Sequence, residues 1–174
     1  MTKYRLAKSS GVPQATVTDI CSGKAKLENC SAGTVYKLAL ALGTTVEALI
    51  ETRPDFEIFK STVCHRTKEL GDIKFLFNAI QSDEVRRLYN KHWHLESLYL
   101  LAMVDYLSRE NNIPLCTKYN DLRNARFRET VYPSSVTVLS IASSSDQYKQ
   151  DSLKDAIPEF LRHNIVEAEV RNVY

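Results

Sequence analysis

Glycine and proline are scarce in this chain, with five of each in 174 residues, and the glycines are unevenly placed. The last glycine is Gly71, so the rest of the chain contains none. Because glycine and proline mark turns and interrupt regular elements, this distribution favours long regular elements over loops in the second part of the chain.

Cysteine and long apolar runs are also sparse. The four cysteines are scattered without a short C-x-x-C pair, which favours reduced thiols over a disulfide framework. The longest near-continuous apolar run, Leu98 to Val104, is far shorter than the roughly 20 residues of a membrane-spanning helix. No targeting segment is recognisable, so we expect a cytoplasmic protein without a membrane partner.

With 44% hydrophobic residues, the chain can bury a core as one large domain or two small ones. Its net charge of +2 is too small to mark a nucleic-acid binder by itself. The charge is uneven, however, because residues 1 to 27 carry five basic side chains and only one acidic side chain, Asp19. A local excess of this kind indicates where a polyanion would bind.

The segment from Tyr4 to Ile20 has the pattern of two short helices joined by a tight turn. Ala7 supplies a small side chain where the helices must approach, and Gly11 can adopt a left-handed conformation without strain. Val17 and Ile20, three residues apart, give the second helix an inward edge. Together these features predict a helix-turn-helix.

The second of these helices has an outer face of short side chains that can contact bases in a DNA groove. Glutamine can bond adenine in the major groove, and alanine or threonine methyl groups can contact the thymine methyl. Lysines on either side of the helix can contact phosphates and fix the register. The predicted base-facing residues are Gln14, Ala15, Thr16 and Thr18, and the predicted phosphate-facing residues are Lys3, Lys24 and Lys26.

Two more helices follow. Ser31 is a plausible cap for the third helix, and Gly43 stands where that helix should end. Either Thr44 or Thr45 opens a short fourth helix, and Thr44 with Glu47 has the spacing of a capping box. The apolar stripe of the third helix consists of Val35, Leu38, Ala39 and Leu42.

Residues 2 to 51 resemble the XRE family, the lambda-repressor and Cro type of helix-turn-helix. Counted from Lys3, the family's small residue, glycine and β-branched residue correspond to Ala7, Gly11 and Val17. The chain continues with SGK, a capped helix ending in ALG, and a T-x-E-x-L closing helix. The resemblance implies a helical bundle that reads double-stranded DNA, normally as a homodimer and without a cofactor.

The sequence departs from the family pattern at its start. In the family a first helix precedes the helix-turn-helix motif, whereas here Met1 and Thr2 lie directly before the helix that corresponds to the family's second helix. A bundle without that helix would expose the apolar back of the motif, including Leu6, Leu38 and Leu42. We therefore expect either that Met1 is an internal start or that a downstream helix or a partner subunit covers the gap. Each large side chain left in water would cost about 1.5 to 3 kcal/mol.

Arg53, Pro54 and Asp55 indicate a boundary between a helix-turn-helix domain, residues 1–52, and a mostly helical domain, residues 55–174, for dimerisation or partner binding. The pattern predicts helices over 56–70, 73–80 and 82–111, the last with a break near residues 91–94, and over 116–127 and 151–162. Val136 to Ile141 and Val166 to Val170 have strand patterns. The predicted fold is mainly α, with a small β-α-β tail.

Other side chains in the second part have two interpretations. His92, His94, Cys64, His65 and Cys116 could suggest zinc, but residues two apart on a helix point in different directions, so we predict no metal. The stripe containing Leu98, Tyr99 and Tyr106 indicates core or dimer surface.

A basic cluster contains Arg123, Arg126 and Arg128. It indicates a solvated helix face, or alternatively a second contact with DNA or with an acidic partner.

Three functions fit these patterns. The preferred one is a sequence-specific transcriptional regulator of the XRE type, a dimeric repressor. The second is an antitoxin that represses its own operon and binds a toxin protein through its C-terminal part. The third, an enzyme, is disfavoured because no nucleophile, base or metal ligand set is apparent.

Overall fold

The computed structural model describes residues 1–51 and 53–171, which are mainly helical. They divide into two compact units, Met1–Arg53 and Pro54–Tyr174. The helices of the first unit are α1 (Lys3–Ser10), α2 (Gln14–Cys21), α3 (Ala32–Leu42) and α4 (Val46–Ile50), with a 3-10 turn at Leu27–Asn29. Those of the second are α5 (Phe56–Leu70), α6 (Asp72–Gln81), α7 (Glu84–Asn90), α8 (His94–Glu110), α9 (Ser134–Ser143), α10 (Gln147–Lys154) and α11 (Pro158–Leu161), with a 3-10 turn at Thr117–Tyr119.

Hydroxyl side chains begin three helices of the first unit. Thr2, Ser31 and Thr45 each accept a hydrogen bond from the backbone N–H three residues later, at 3.2, 3.3 and 3.1 Å. Each bond satisfies an amide that the helix itself leaves unpaired. Thr45 rather than Thr44 therefore caps α4, and the predicted capping box from Thr44 to Glu47 is wrong.

The first unit has a small core between α1, α2 and α3. Its buried members are Ala7, Val12, Val17 and Leu38, and the side chains partly buried against them are Leu6, Ile20, Leu27 and Leu49. The predicted exposure is therefore wrong for Leu38, which is 3% exposed, because α3 turns this side chain towards the other helices. Leu6 is half-buried, whereas Leu42 is 43% exposed, as expected.

Helix α3 ends in a turn that requires a left-handed residue. Gly43 has φ +67°, and its N–H donates to the Leu40 carbonyl at 3.1 Å. The Thr44 N–H donates to the Ala39 carbonyl at 3.0 Å. This pair of bonds is a Schellman motif, which satisfies carbonyls at the end of the helix.

Two glycine substitutions on α3 should have opposite effects. We expect Gly43→Ala to lower the free energy of unfolding by about 1 to 2 kcal/mol, because a Cβ is strained in the left-handed conformation. Gly33→Ala, inside the same helix, should raise it by about 0.5 to 1 kcal/mol. A Cβ at either position meets no atom within 4 Å, so the contrast isolates the backbone. Urea unfolding of both variants checks this, and shifts of the same sign would contradict it.

The second unit is organised around α8. The apolar run from Leu98 to Val104 is entirely buried, because α5, α6, α7 and α11 all pack against this helix. A helix that is apolar on every side needs such neighbours. Among the described residues, no helix is both long and apolar enough to cross a membrane.

Several boundaries in the second unit were predicted correctly. Asp55 caps α5 by accepting hydrogen bonds from the Glu57 and Ile58 amides at 2.9 and 3.3 Å. Helix α5 ends at Leu70, before Gly71, whose φ is +75°. The break near residues 91–94 separates α7 from α8, with His92 at φ +61° between them.

The predicted β-α-β tail is wrong. Residues 136–141 lie within α9, and residues 166–170 form no strand. Within the described part of the chain, the only β-type backbone pairing is an isolated parallel bridge between Val131 and Ile165. The helix predicted over 116–127 is also wrong beyond its 3-10 turn. Residues 120–124 form turns instead, and Arg123 there donates to Asp105 of α8.

Candidate nucleic-acid interface

Helix α2 is positioned by a short turn after α1. The Gly11 N–H donates to the Ala7 carbonyl at 3.0 Å, and Gly11 has φ +68°, so this left-handed residue ends α1 and turns the chain towards α2. Pro13 precedes the first turn of α2, where its missing N–H costs nothing. Val12 and Val17 are 4% and 1% exposed and hold α2 against the core.

The opposite side of α2 is open to solvent. Gln14, Ala15 and Thr18 are exposed. Thr16 is half-buried, so it lies closer to the core than the helical period predicts. An exposed helix face of such short side chains can enter the major groove of DNA. Three of the four predicted base-facing residues are therefore exposed, and Thr16 lies at the edge of this face.

Exposed lysines lie before and after this helix. Lys3 is exposed in the first turn of α1, and Lys24 and Lys26 are exposed in the loop after α2. The Lys24 ammonium is 3.8 Å from the Asp19 carboxylate, with 79% of the lysine side chain exposed. Since an exposed pair of this kind contributes little, Lys24 can exchange Asp19 for a phosphate at small cost.

Two further basic residues on α1 were not assigned to the interface from sequence. Arg5 and Lys8 are both exposed. The sequence does contain a signal for them, because Arg5 and Lys8 are two of the five basic residues between positions 1 and 27. They extend the positive charge of the motif along α1.

Comparison with known families decides what this segment is. Residues 1–55 match the family model of the Cro/C1-type helix-turn-helix DNA-binding domain. This segment is an XRE-type helix-turn-helix. The match ends at the cap of α5, so it covers the first compact unit and leaves the helices of the second unit unassigned. Searches of curated proteins and of solved structures returned no match.

Beyond the XRE-type segment, the basic cluster predicted from sequence does not form one surface. Arg123 is 9% exposed and donates to the Asp105 carboxylate, so its interpretation as a solvated or DNA-contacting side chain is wrong. Arg126 is exposed and hydrogen-bonds the side chain of Asn164, and Arg128 is exposed.

The cysteines and histidines of the second unit are dispersed. Within the described residues, no three His, Cys, Asp or Glu side chains are placed to hold a metal ion. Cys64 lies with its sulfur 3.7 Å from the Tyr99 hydroxyl, and burial raises the pKa of both groups. The thiol of Cys64 is therefore harder to ionise than a free thiol. Tyr99, for which the sequence left core and dimer surface open, lies in the core.

Proposed function

We propose that the chain is a sequence-specific DNA-binding transcriptional regulator of the XRE type, acting in the cytoplasm as a dimeric repressor rather than as an enzyme. The observation that carries the proposal is the exposed outer face of α2 within a Cro/C1-type helix-turn-helix. In this proposal Gln14, Ala15, Thr16 and Thr18 face bases, and Lys3, Lys24 and Lys26 face phosphates.

Selection from randomised DNA duplexes tests this function. We expect enrichment of a near-palindromic site whose half-sites lie about one helical turn, roughly 34 Å, apart, because a two-fold dimer places two recognition helices in successive major grooves. Binding without any enriched sequence would contradict sequence-specific recognition. An enriched single half-site would support reading by α2 and contradict the dimer.

Removing the two lysines after α2 should weaken binding to all sequences alike. For Lys24→Ala/Lys26→Ala, the plot of log binding constant against log salt concentration should become shallower by about two units, because two counterion-releasing contacts are lost. The matched control is Lys68→Ala/Lys74→Ala, which removes two exposed lysines from the second unit. An equal change in both variants would show that only net charge matters.

An antitoxin is the second candidate, favoured by an exposed apolar pair on α6. Ile73 and Phe77, one helical turn apart, are 58% and 60% exposed and lie with Leu70 beside an open, mainly apolar groove. Exposed apolar surface of this kind marks interaction sites. Co-purification from the native operon with a stoichiometric small protein would support this candidate, and purification of the chain alone would contradict it.

A further inference from the structure

Residues 125–131, which we call the strap, lie against residues 163–166 in the second unit, and neither segment is helical. Backbone hydrogen bonds join the two segments at one end of the strap. The Val131 N–H donates to the Asn164 carbonyl, and the Val166 N–H donates to the Val131 carbonyl, both at 2.8 Å. The position of the strap therefore depends on hydrogen bonds to a segment about 35 residues later in the chain.

His163 binds the middle of the strap through both its backbone and its side chain. Its carbonyl accepts a hydrogen bond from the Phe127 N–H at 3.1 Å, and its ring nitrogen Nδ1 lies 2.6 Å from the Ala125 carbonyl oxygen. Because a carbonyl oxygen can only accept, Nδ1 must carry the proton of this bond. In the neutral ring the other nitrogen, Nε2, therefore has no proton.

This second ring nitrogen lies in the protein interior. His163 is 0% exposed, and its Nε2 atom is buried without a hydrogen-bond partner in the part of the chain that the structure describes. A proton added to Nε2 would create a buried cation, and the new N–H would have no acceptor. Both the charge and the unpaired donor are costly away from water. The closed strap therefore favours the neutral ring.

The charged groups around His163 do not remove this cost. Arg162 and Arg123 are cations, and Asp105 of α8, the carboxylate that faces them, already accepts hydrogen bonds from both. Arg126 of the strap is exposed, so its charge is solvated. Burial is the main cause that lowers the pKa of His163, and the guanidinium groups of Arg162 and Arg123 lower it further. The hydrogen bond to the strap carbonyl and the carboxylate of Asp105 oppose this shift without reversing it.

The strap is attached to the core less firmly than the helices are. Ala125, Phe127 and Val131 pack against the core but are only partly buried. Segments with few buried contacts open locally before a protein unfolds as a whole. We propose that His163 makes closure of the strap depend on pH, so that the strap is closed while the ring is neutral and is released when Nε2 takes up a proton. In acid the second unit would then present a different surface from the one it has at neutral pH.

The proton balance gives the direction and the size of the effect. When the strap is open, the ring of His163 is solvated and has the ordinary histidine pKa of about 6.5, whereas in the closed form the pKa is lower. Between these two values the open form binds one more proton than the closed form. The ratio of open to closed protein therefore rises as the pH falls below about 6.5, by at most about tenfold per pH unit.

Hydrogen exchange of the Phe127 and Val131 amides in the full chain measures this ratio, because both N–H groups are bonded only while the strap is closed. After correction for the intrinsic pH dependence of exchange, we expect the opening constant to rise roughly three- to tenfold from pH 7.5 to pH 5.5. An opening constant that does not change over this range in the wild type would overturn the inference.

His163→Asn is the variant that separates titration from structure. The asparagine amide can donate to the Ala125 carbonyl as Nδ1 does, but it takes up no proton. Whatever its opening constant at pH 7.5, this variant should lack the rise towards pH 5.5. The matched control is His65→Asn, which removes an exposed histidine from α5 of the same unit and should keep the wild-type profile. A rise that persists in His163→Asn, or that disappears in His65→Asn, would contradict the role of His163.

A second measurement uses the wild type alone and so does not depend on how well a variant folds. Nitrogen NMR of the His163 ring should show the proton on Nδ1 and a ring that is still mostly neutral at pH 6.0. A ring with the ordinary pKa of about 6.5 would be mostly charged at that pH. A charged ring at pH 6.0, or a proton on Nε2 in place of Nδ1, would overturn the inference. The strap lies in the second unit, so neither result bears on DNA reading by α2.

Discussion

Replacing Asp105 by Ala is expected to lower the free energy of unfolding by about 3 to 5 kcal/mol. Asp105 is 1% exposed on α8, and its carboxylate accepts bonds from Nε and Nη2 of Arg123, both at 2.8 Å, and from Nη1 of Arg162 at 2.9 Å. Arg123 is itself buried. The variant would therefore leave the Arg123 guanidinium in the interior without its counter-charge. The loss of stability from such an unpaired buried charge is larger than the loss from replacing both members of the pair by apolar residues.

The chain offers a control on its surface, where an arginine also donates two hydrogen bonds to one carboxylate. Arg86 donates two bonds to Asp121 at 2.7 Å each, but the Asp121 side chain is 60% exposed. The Arg86 guanidinium lowers the pKa of Asp121, yet water can replace that carboxylate. Asp121→Ala should therefore leave the unfolding curve almost unchanged. Urea unfolding followed by circular dichroism compares the two variants, and similar losses would show that burial of Asp105 does not decide the effect.

This buried pair explains why the basic cluster was misinterpreted from sequence. The partner of Arg123 is 18 residues earlier on α8, and a local helical pattern carries no information on such long-range contacts. One signal was available, because Asp105 interrupts an otherwise apolar run. A charge within a helix that is apolar on all sides requires a buried partner.

Capping residues predicted the ends of helices correctly, whereas the β-branched residues of 136–141 wrongly predicted a strand. Asp55, Ser31 and Gly71 fix the ends of helices through their own backbone geometry and hydrogen bonds, so their effect can be deduced from a few neighbouring residues. The β-branched run of α9 favours a strand only where another strand pairs with it. Here Pro133 precedes the helix and Ser144, at φ +50°, follows it, and the segment stays helical.

The same reasoning applies to the outer face of α2. The helical period alone predicts which side chains point away from the core, and it correctly predicts that Gln14, Ala15 and Thr18 are exposed. It is less accurate for Thr16, which is half-buried, because the way α2 packs against its neighbours is not contained in the period of one short helix. A bulky substitution at Thr16 would therefore confuse a folding defect with a binding defect.

Ala15→Glu avoids this ambiguity and should weaken specific DNA binding at least about a hundredfold. Ala15 is exposed in the first turn of α2, where a carboxylate favours the helix by interacting with its N-terminal dipole. Thermal unfolding should therefore be unchanged or slightly raised. In a DNA groove, however, the added carboxylate would meet phosphates and base edges with a negative charge.

Leu40→Glu is the matched control, because it adds the same charge at a 62% exposed position on α3, in the same unit. Fluorescence anisotropy with the selected duplex at fixed salt measures both variants. If α2 lies in the groove, Ala15→Glu loses binding and Leu40→Glu keeps most of it, since only the first places its carboxylate at the bases. Equal losses would assign the effect to net charge, and retained binding by Ala15→Glu would show that another surface contacts DNA.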